Sequence, residues 1–395
     1  MSKPTTICLV MMVRNEAPII WDTLKAVSPY IDHWIIVDSH STDNTVQLIE
    51  DFFDLMDIPG EVVMNDDWTK TGMKGGGQKR TEALAYAQGI CDYRLLLDGD
   101  NIFEVHDMDW KQNITGAGAY YITKKCAHLQ YQVPLLFKSD QVWEYVGVLH
   151  EYSQRVDGPT EYETLYGCTV VESTKDTGHR QRGPEYYYGH ALAIETELLK
   201  TDLDPVLRTR YWFYLAQSYQ DAGMIDRAIE CYNKRLGMGG WAEELYITML
   251  RVALLKKQQG LHIEHVISLL LTAWEFRQHR MEAAYEVMQI LNAHGRHTLA
   301  LLVGEKTYAL DIARKEDDLL FVDKNISVWK FYDALSISLY YSGQAQNAYN
   351  VAVDLPAFKE KASIPDDDMD RIHANIEFFK AGKDKNLELS KYFVI

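Results

Sequence analysis

Two carboxylates stand two residues apart at the end of an apolar run, in residues 95–100 (LLLDGD). Side chains alternate faces along a strand with a period of two, so Asp98 and Asp100 can point to the same side. Converging carboxylates repel each other unless a cation lies between them, and oxygen ligands suit Mg²⁺ or Mn²⁺. The spacing therefore predicts a divalent-cation site, which can carry a diphosphate. The alternative interpretation is a solvated turn after a strand.

Polar residues also follow two earlier apolar runs. One run occupies residues 6–13, as expected of a strand covered on both faces, and the other occupies residues 34–37. The carboxyl ends of parallel strands share one edge of a sheet, and ligands bind at that edge. The sequence thus predicts one site built from three strand ends. Its residues are Arg14, Asn15, Glu16, Asp38, Asp98 and Asp100.

The pattern of elements changes along the chain. Strand and helix signals alternate up to about residue 170, and this order predicts an α/β fold with a Rossmann-like, mainly parallel sheet and helices on both faces. From about residue 184 the strand signals vanish, and amphipathic helices with short turns follow. The predicted domains are residues 1–183 (α/β) and residues 184–395 (all-α).

The second half carries the spacing of tetratricopeptide helix pairs. Residues 214–223 (YLAQSYQDAG) and 335–343 (LSISLYYSG) share a Leu and a Ser three residues apart and end at a glycine. This spacing predicts a tetratricopeptide-like repeat domain, with a plain helical bundle as the alternative. The aromatic residues of the first pair are predicted to form inter-helix core rather than a ligand site. They are Tyr211, Trp212, Tyr214 and Tyr219.

The composition limits the class of protein. The 395 residues include 40 Lys and Arg against 57 Asp and Glu, and the formal net charge of −17 disfavours non-specific binding to nucleic acid or anionic lipid. Five scattered cysteines without a Cys-x-x-Cys spacing argue against a disulfide framework and a structural zinc site. No apolar run approaches the roughly 18 residues of a transmembrane segment, and the N-terminus lacks a signal-peptide pattern. A reducing, cytoplasmic setting is therefore expected.

Three motifs, in order, resemble the family 2 glycosyltransferases of the A-type (GT-A) fold. Residues 10–16 (VMMVRNE) resemble the opening strand of that family and its Arg/Lys-Asn-Glu end. Residues 36–45 (IVDSHSTDNT) resemble its V-D-x-x-S-T-D-x-T segment. Residues 79–87 (KRTEALAYA), followed by residues 97–100 (LDGD), resemble its acceptor-side helix and metal motif. The second half further resembles the tetratricopeptide-like helices fused to a subgroup of these enzymes.

The resemblance and the residue chemistry together imply roles on the donor side. Asp38 would accept a hydrogen bond from uracil or ribose, and a helix N-cap is its structural alternative. Asp100 would be the main metal ligand, with Asp98 binding ribose or, through water, the metal. His179 would complete the coordination, unless it belongs to a solvent-exposed linker. The other donor-binding residues implied are Arg14 and Glu16 near the base, Gln78 and Lys79 after a glycine run, and Arg180 and Arg182 on the diphosphate.

The glycine run at residues 75–77 has two interpretations. It precedes a helix, and the backbone N–H groups at a helix N-terminus favour phosphate. A mobile surface loop is equally compatible with these glycines.

A second cluster, in residues 143–151 (WEYVGVLHE), resembles a short strand that ends in His-Glu in enzymes of this type. Glu151 is the predicted general base, because transfer to a hydroxyl, amide or thiol requires removal of a proton. His150 would orient Glu151 or bind substrate. A structural His-Glu pair is the alternative, and Asp140 and Glu144 are less favoured as bases.

The sequence as a whole predicts a metal-dependent, inverting glycosyltransferase that uses a UDP-sugar donor and Mn²⁺ or Mg²⁺. The alternatives are a tetratricopeptide-type adaptor with a degenerate transferase domain, and a nucleic-acid-base glycosyltransferase. A nucleotidyltransferase is disfavoured because residues 14–16 stand where its Gly-rich loop would follow the first strand. The expected acceptor is a protein or peptide, or a saccharide, while nucleic acid is disfavoured by the charge. The helical half is also compatible with a homodimer.

Overall fold

The computed structural model describes residues 4–65, 76–173, 183–312 and 318–390. The chain divides into two compact units. The first comprises residues 1–127 and 131–228, and the second comprises residues 128–130 and 229–395. The expected domain boundary between residues 183 and 184 borders a segment outside the described ranges and stays a prediction.

The first unit is built on a mixed sheet. Its strands are β1 (Ile7–Val13), β2 (His33–Asp38), β3 (Gly60–Met64), β4 (Tyr93–Asp98), β5 (Asn101–Val105), β6 (Ala119–Cys126), β7 (Leu129–Lys138) and β10 (Tyr162–Glu172). Across the sheet they follow the order β3-β2-β1-β4-β7-β6-β10-β5. Two further strands, β8 (Trp143–Val146) and β9 (Tyr152–Arg155), pair antiparallel with each other.

Four neighbouring strands, β3, β2, β1 and β4, run parallel. Their register pairs Val13 with Asp38, and Met12 with both Val37 and Asp98. The carboxyl ends of β1, β2 and β4 therefore lie at one edge of the sheet. This register places the polar residues after the three strands side by side, as expected for parallel strands.

The rest of the sheet is mixed in direction. Strand β7 runs antiparallel to β4, β10 runs parallel to β6, and β5 runs antiparallel to β10. The predicted α/β fold followed by helices is confirmed, and the parallel arrangement holds for the four strands that begin the fold. The sheet as a whole is mixed because β7 and β5 run antiparallel to their neighbours β4 and β10, without the helical crossover that connects parallel strands.

Helices cover both faces of the parallel half. They are α1 (Ile20–Val27), α2 (Thr45–Met56) and α3 (Gly76–Tyr86). Leu9 and Met11 of β1 pack in one core cluster with residues of α1 and α2, while Val10 packs in another cluster with Ala83 and Leu84 of α3. Because both faces of β1 are buried, its sequence is apolar throughout rather than alternating.

Helices dominate the chain from Pro184 onward. They are α4 (Pro184–Leu198), α5 (Pro205–Asp221), α6 (Ile225–Leu236), α7 (Ala242–Gln258), α8 (Ile263–Phe276), α9 (Met281–Ala293), α10 (His297–Ile312), α11 (Phe331–Tyr341), α12 (Ala345–Ala352) and α13 (Asp366–Ser390). Gly223 and Gly343 adopt positive φ angles of 74° and 86° in the turns after α5 and α11. The helical-repeat prediction is confirmed at both glycines, since each ends the first helix of a pair. Among the described helices, none combines the length and the apolar character that a membrane span needs.

A buried ion pair lies in the second unit. Arg280 is 1% exposed, and it donates to the Glu282 carboxylate at 2.6 and 2.9 Å. It also donates to the carbonyl oxygens of Leu320 and Phe321 at 3.0 and 3.2 Å, and its guanidinium lies 4.9 Å from the centroid of the Tyr246 ring. These bonds compensate the Arg280 guanidinium for the hydration that it loses on burial. They also attach residues 320–321 to α7 and α9.

We expect Arg280→Met to lower the free energy of unfolding by about 3–5 kcal/mol, because the buried Glu282 carboxylate would lose its partner. The matched control is Arg296→Met, since Arg296 pairs with Glu264 where both side chains are exposed, 41% and 57%. That pair should contribute at most about 1 kcal/mol. Urea unfolding followed by far-UV circular dichroism measures both changes. Equal losses in the two variants would contradict the buried pair's role.

Candidate active site

Arg80 of α3 joins two motifs that are far apart in the sequence. Its Nη2 donates to Asp98 Oδ1 at 2.9 Å, and its Nε donates to Glu151 Oε1 at 2.8 Å. Burial alone would lower the pKa of the Arg80 guanidinium, but Asp98 and then Glu151 outweigh burial and raise that pKa. One partly buried cation therefore holds the carboxyl end of β4 and the residue before β9 at the same place.

Asp98 has a second cation beside it. Lys124 on β6 is 12% exposed and places its Nζ 3.7 Å from Asp98 Oδ2. Burial alone would raise the pKa of the Asp98 carboxyl, but Arg80 and then Lys124 outweigh burial and hold the pKa below its usual range. Asp98 is therefore ionised at neutral and mildly acidic pH.

Asp100 lies in the turn between β4 and β5. Its Oδ1 accepts a hydrogen bond from Asn101 Nδ2 at 2.8 Å. The Glu16 side chain packs on the same turn, because a Cβ added at Gly99 would lie 3.0 Å from Glu16 Cγ. The structure thus brings Glu16 beside the turn that carries the two aspartates.

Two aspartates at one turn offer the oxygen donors that Mg²⁺ and Mn²⁺ prefer. Mg²⁺ is commonly held by one or two protein carboxylates, and waters and substrate phosphates complete its shell. Within the described residues no group of three His, Cys, Asp or Glu side chains is arranged to hold a metal. The predicted ligand His179 and the predicted phosphate-binding Arg180 and Arg182 lie outside the described residues. The donor chemistry of the turn therefore fits an open site shared with a phosphate substrate.

Asp38 shapes the loop that follows β2. It is fully buried, and its carboxylate oxygens accept from the Ser41 N–H at 2.8 Å and from the Ser41 hydroxyl at 2.5 Å. Asn15, at φ 58°, donates its N–H to the same hydroxyl at 2.9 Å and accepts from the Thr42 N–H at 2.7 Å. These bonds tie the ends of β1 and β2 together. Asp43, rather than Asp38, accepts from the first N–H of α2 at 3.1 Å.

Lys79 and Arg14 bring two positive charges to this edge. Burial, and then the charge of Arg14, lower the pKa of Lys79. Two cations held near each other favour a bound anion beside them. Gln78, one residue earlier in α3, is exposed and donates to Glu82 at 3.0 Å. The structure thus associates Lys79 with Arg14 and leaves Gln78 on the helix surface.

The His-Glu loop, defined as residues 147–151, lies against the first turn of α3. The Gly76 N–H donates to the Val148 carbonyl oxygen at 3.0 Å. A Cβ at Gly76 would lie 3.0 Å from Glu151 Oε1, so the Glu151 carboxylate sits at the helix N-terminus. The helix dipole favours a negative charge at that position.

Gly77 allows the loop and α3 to approach closely. A Cβ at this position would lie 2.5 Å from the Gly147 carbonyl oxygen and 2.8 Å from the Tyr145 carbonyl oxygen. One turn further along α3, the Thr81 hydroxyl accepts from the Tyr145 N–H at 2.8 Å. In the described part of the glycine run, the absence of a side chain therefore serves backbone packing against the His-Glu loop.

His150 is held in an uncommon conformation. Its φ of 51° lies in the left-handed region, which costs a non-glycine residue about 1–2 kcal/mol. The ring stacks on Tyr214 with a centroid distance of 3.9 Å and an interplanar angle of 7°, and the carbonyl oxygen accepts from Arg210 Nε at 2.6 Å. Burial, and then the charges of Arg210 and His190, lower the pKa of His150 to about 3. The imidazole is therefore neutral at physiological pH.

Sequence reasoning missed the residues that compensate the carboxylates and support the loop. Arg80 lies within the 79–87 motif, but the motif alone did not assign it a role. Lys124 belongs to no motif. Arg210 and Tyr214 lie in a helical pattern typical of inter-helix packing, and Tyr214 is buried as expected, yet its ring also covers His150.

Comparison with known proteins finds one matching family model and several solved structures that resemble parts of this chain. Residues 8–109 match the model of Glycosyl transferase family 2. The structure of MamA is 20% identical in sequence and aligns over 48% of this chain and 97% of its own, with a TM-score of 0.33. The C-terminal part of a TPR repeat-containing protein from Cytophaga hutchinsonii is 13% identical and aligns over 51% of this chain and 67% of its own, with a TM-score of 0.36. The resemblance to family 2 glycosyltransferases is thus confirmed for residues 8–109.

Proposed function

We propose that this protein is an inverting, metal-dependent glycosyltransferase that moves a sugar from a UDP-sugar to an acceptor nucleophile. The observation that carries the proposal is the bridge made by Arg80, which joins Asp98 of the metal motif to Glu151 of the His-Glu loop. A donor-binding carboxylate and a candidate base thereby share one site. The family match of residues 8–109 supports a glycosyltransferase in general, and the donor and metal are finer parts of the proposal.

The donor would lie along the edge formed by the ends of β1, β2 and β4. Asp38 accepts from Ser41, and since each carboxylate oxygen has two lone pairs, it retains capacity for a nucleoside donor group. Arg14 and Lys79 supply positive charge for the diphosphate. Asp98 and Asp100, with His179, would hold Mg²⁺ or Mn²⁺, which neutralises charge on the departing nucleoside diphosphate.

Glu151 is proposed as the general base. Its Oε1 accepts from Arg80, so Oε2 is the atom that would take the acceptor's proton as the acceptor attacks C1 of the sugar. A single in-line displacement of this kind inverts the anomeric centre and requires no covalent sugar–enzyme bond. His150, as a neutral imidazole, would support the loop rather than supply charge.

The proposed acceptor is a peptide or a saccharide. Tyr145 lies beside the base, with its ring centroid 5.9 Å from the Arg80 guanidinium carbon, and sites for such ligands combine aromatic walls with a few polar groups. A nucleic acid is disfavoured by the net charge of −17. A homodimer and a cytoplasmic setting stay predictions.

The first test is release of nucleotide from a panel of UDP- and GDP-sugars, with and without Mn²⁺. We expect release from a UDP-sugar that requires the metal and that falls at least about 100-fold in Asp100→Asn. The matched control is Asp109→Asn, an exposed aspartate whose Oδ1 accepts from Gln112 at 2.8 Å, and it should release nucleotide at the wild-type rate. If wild-type protein releases nothing from any donor and shows no metal-dependent nucleotide binding, the adaptor alternative replaces this proposal.

A second test concerns the base. Glu151→Gln keeps the shape of the side chain but removes its ability to take a proton, so turnover should fall about 10²–10⁴-fold, with the donor KM little changed. Glu144→Gln is the matched control, since Glu144 lies on β8 nearby and accepts from Gln154 at 2.6 Å. Equal losses in the two variants would assign Glu151 a structural role and remove it as the base.

A third test concerns the neutral His150. Its pKa of about 3 in the folded protein lies below the ordinary value of about 6.5 in the unfolded chain. Its contribution to stability is therefore complete above pH 6.5 and is lost as the pH falls from 6.5 toward 3. Between pH 7.5 and 5.0 the free energy of unfolding of wild type should drop by about 2 kcal/mol more than that of His150→Phe. Urea titrations at the two pH values measure this, and an identical pH dependence would contradict a buried, neutral His150.

A further inference from the structure

We propose that helix α5 carries positioning residues for catalysis: Arg210, Tyr211 and Tyr214 hold the His-Glu loop so that Glu151 faces the acceptor. This inference rests on the proposed function of Glu151. The three residues lie on one face of α5, because positions three and four apart are neighbours on a helix. All of them belong to the same compact unit as the loop.

Tyr211 acts on the backbone of the loop. Its hydroxyl oxygen accepts from the Val148 N–H at 2.8 Å. The carbonyl of Val148 accepts from Gly76 of α3, so the two polar groups of this one residue are bonded to two different helices. Gly147, at φ 114°, lets the chain pass close to α5, because a Cβ there would lie 3.1 Å from the Tyr211 hydroxyl oxygen.

Arg210 and Tyr214 act on the residue next to the base. Arg210 Nε donates to the His150 carbonyl oxygen at 2.6 Å, and its guanidinium carbon lies 4.8 Å from the centroid of the Tyr214 ring. The Tyr214 ring also stacks on the His150 ring, with a centroid distance of 3.9 Å. The left-handed backbone of His150 is thus fixed through its carbonyl oxygen and its ring.

These contacts set the direction of Glu151. Residues Val148 and His150, which precede it in the loop, are bonded to α5, and its carboxylate is bonded to Arg80 of α3. If the α5 side is released, the loop remains anchored on the α3 side alone. The carboxylate then keeps its ion pair but loses its fixed orientation, which affects turnover more than donor binding.

The same helix offers a matched control. Tyr219 is buried like Tyr211, but its hydroxyl donates to Glu195 at 2.5 Å and accepts from Arg227 at 2.8 Å. Tyr211→Phe and Tyr219→Phe therefore each delete one phenolic hydroxyl from a buried position of α5. Only the first deletion removes a bond to the His-Glu loop.

The experiment compares wild type, Tyr211→Phe and Tyr219→Phe in two measurements. The first is hydrolysis of the donor identified in the panel, with kcat and donor KM determined separately. The second is hydrogen–deuterium exchange in peptides that cover residues 145–151. We expect Tyr211→Phe to lower kcat about 10-fold with the donor KM unchanged, and to raise exchange in these peptides. Tyr219→Phe should match wild type in both measurements.

The outcomes separate this inference from the proposed function. A wild-type kcat in Tyr211→Phe, or an equal loss of kcat in both variants, overturns the inference. If wild type hydrolyses no donor, the proposed function fails, and exchange alone decides whether α5 holds the loop. Faster exchange confined to Tyr211→Phe then supports the structural half of the inference, and equal exchange in all three proteins overturns it.

Discussion

The candidate site depends on one partly buried cation. Arg80 forms ion pairs with Asp98 and Glu151, two carboxylates that would repel each other if nothing positive lay between them. Because the guanidinium is planar and presents several N–H groups at fixed angles, it can bond both carboxylates at once and hold them in a defined relative position. A lysine at this position would supply the charge without that geometry.

The sheet supplies the other constraint. Parallel register places the ends of β1, β2 and β4 side by side, so residues that are far apart in sequence reach the same edge. Hydrogen bonds among Asn15, Ser41 and Asp38 then join the loop after β1 to the loop after β2. The part of the candidate site around Asp38 is therefore held by contacts local to the strands, whereas Glu151 lies in a loop that other elements must hold.

The contrast between strand ends that are held locally and a loop that is held by distant elements explains what the sequence could predict. The buried strands and the shared edge follow from apolar runs and from the polar residues after them, and both were predicted. The partners of Arg80 could not be predicted, because the His-Glu loop reaches α3 only through the antiparallel strands and hairpin that follow β4. The mixed direction of those strands has no signature in the sequence comparable to the strand–helix alternation before Asp98. The left-handed conformation of His150 also cannot be predicted from the sequence, since it depends on the packing of the His150 ring against Tyr214.

The glycine run shows how a backbone requirement predicted from the sequence can be met within the protein itself. Its described members, Gly76 and Gly77, do let another group approach the start of α3, as a phosphate-binding loop would. The group that approaches is the protein's own His-Glu loop, at distances that leave no room for a Cβ at position 77. The N-terminus of α3 therefore stabilises the Glu151 carboxylate directly, in the way it would stabilise a bound anion.

The same contacts show how much of the chain supports the candidate site. A boundary at residue 183 keeps every motif that resembles the glycosyltransferase family, yet it separates Glu151 from Arg210 and Tyr211. The first compact unit includes residues 131–228, and with them α4 and α5. Because the left-handed His150 and the Val148 amide are satisfied by α5, the strain and the unpaired donor would both be exposed if that helix were absent. The His-Glu loop thus depends on a helix beyond the matched family segment, since α5 supplies the contacts to the Val148 amide and to His150.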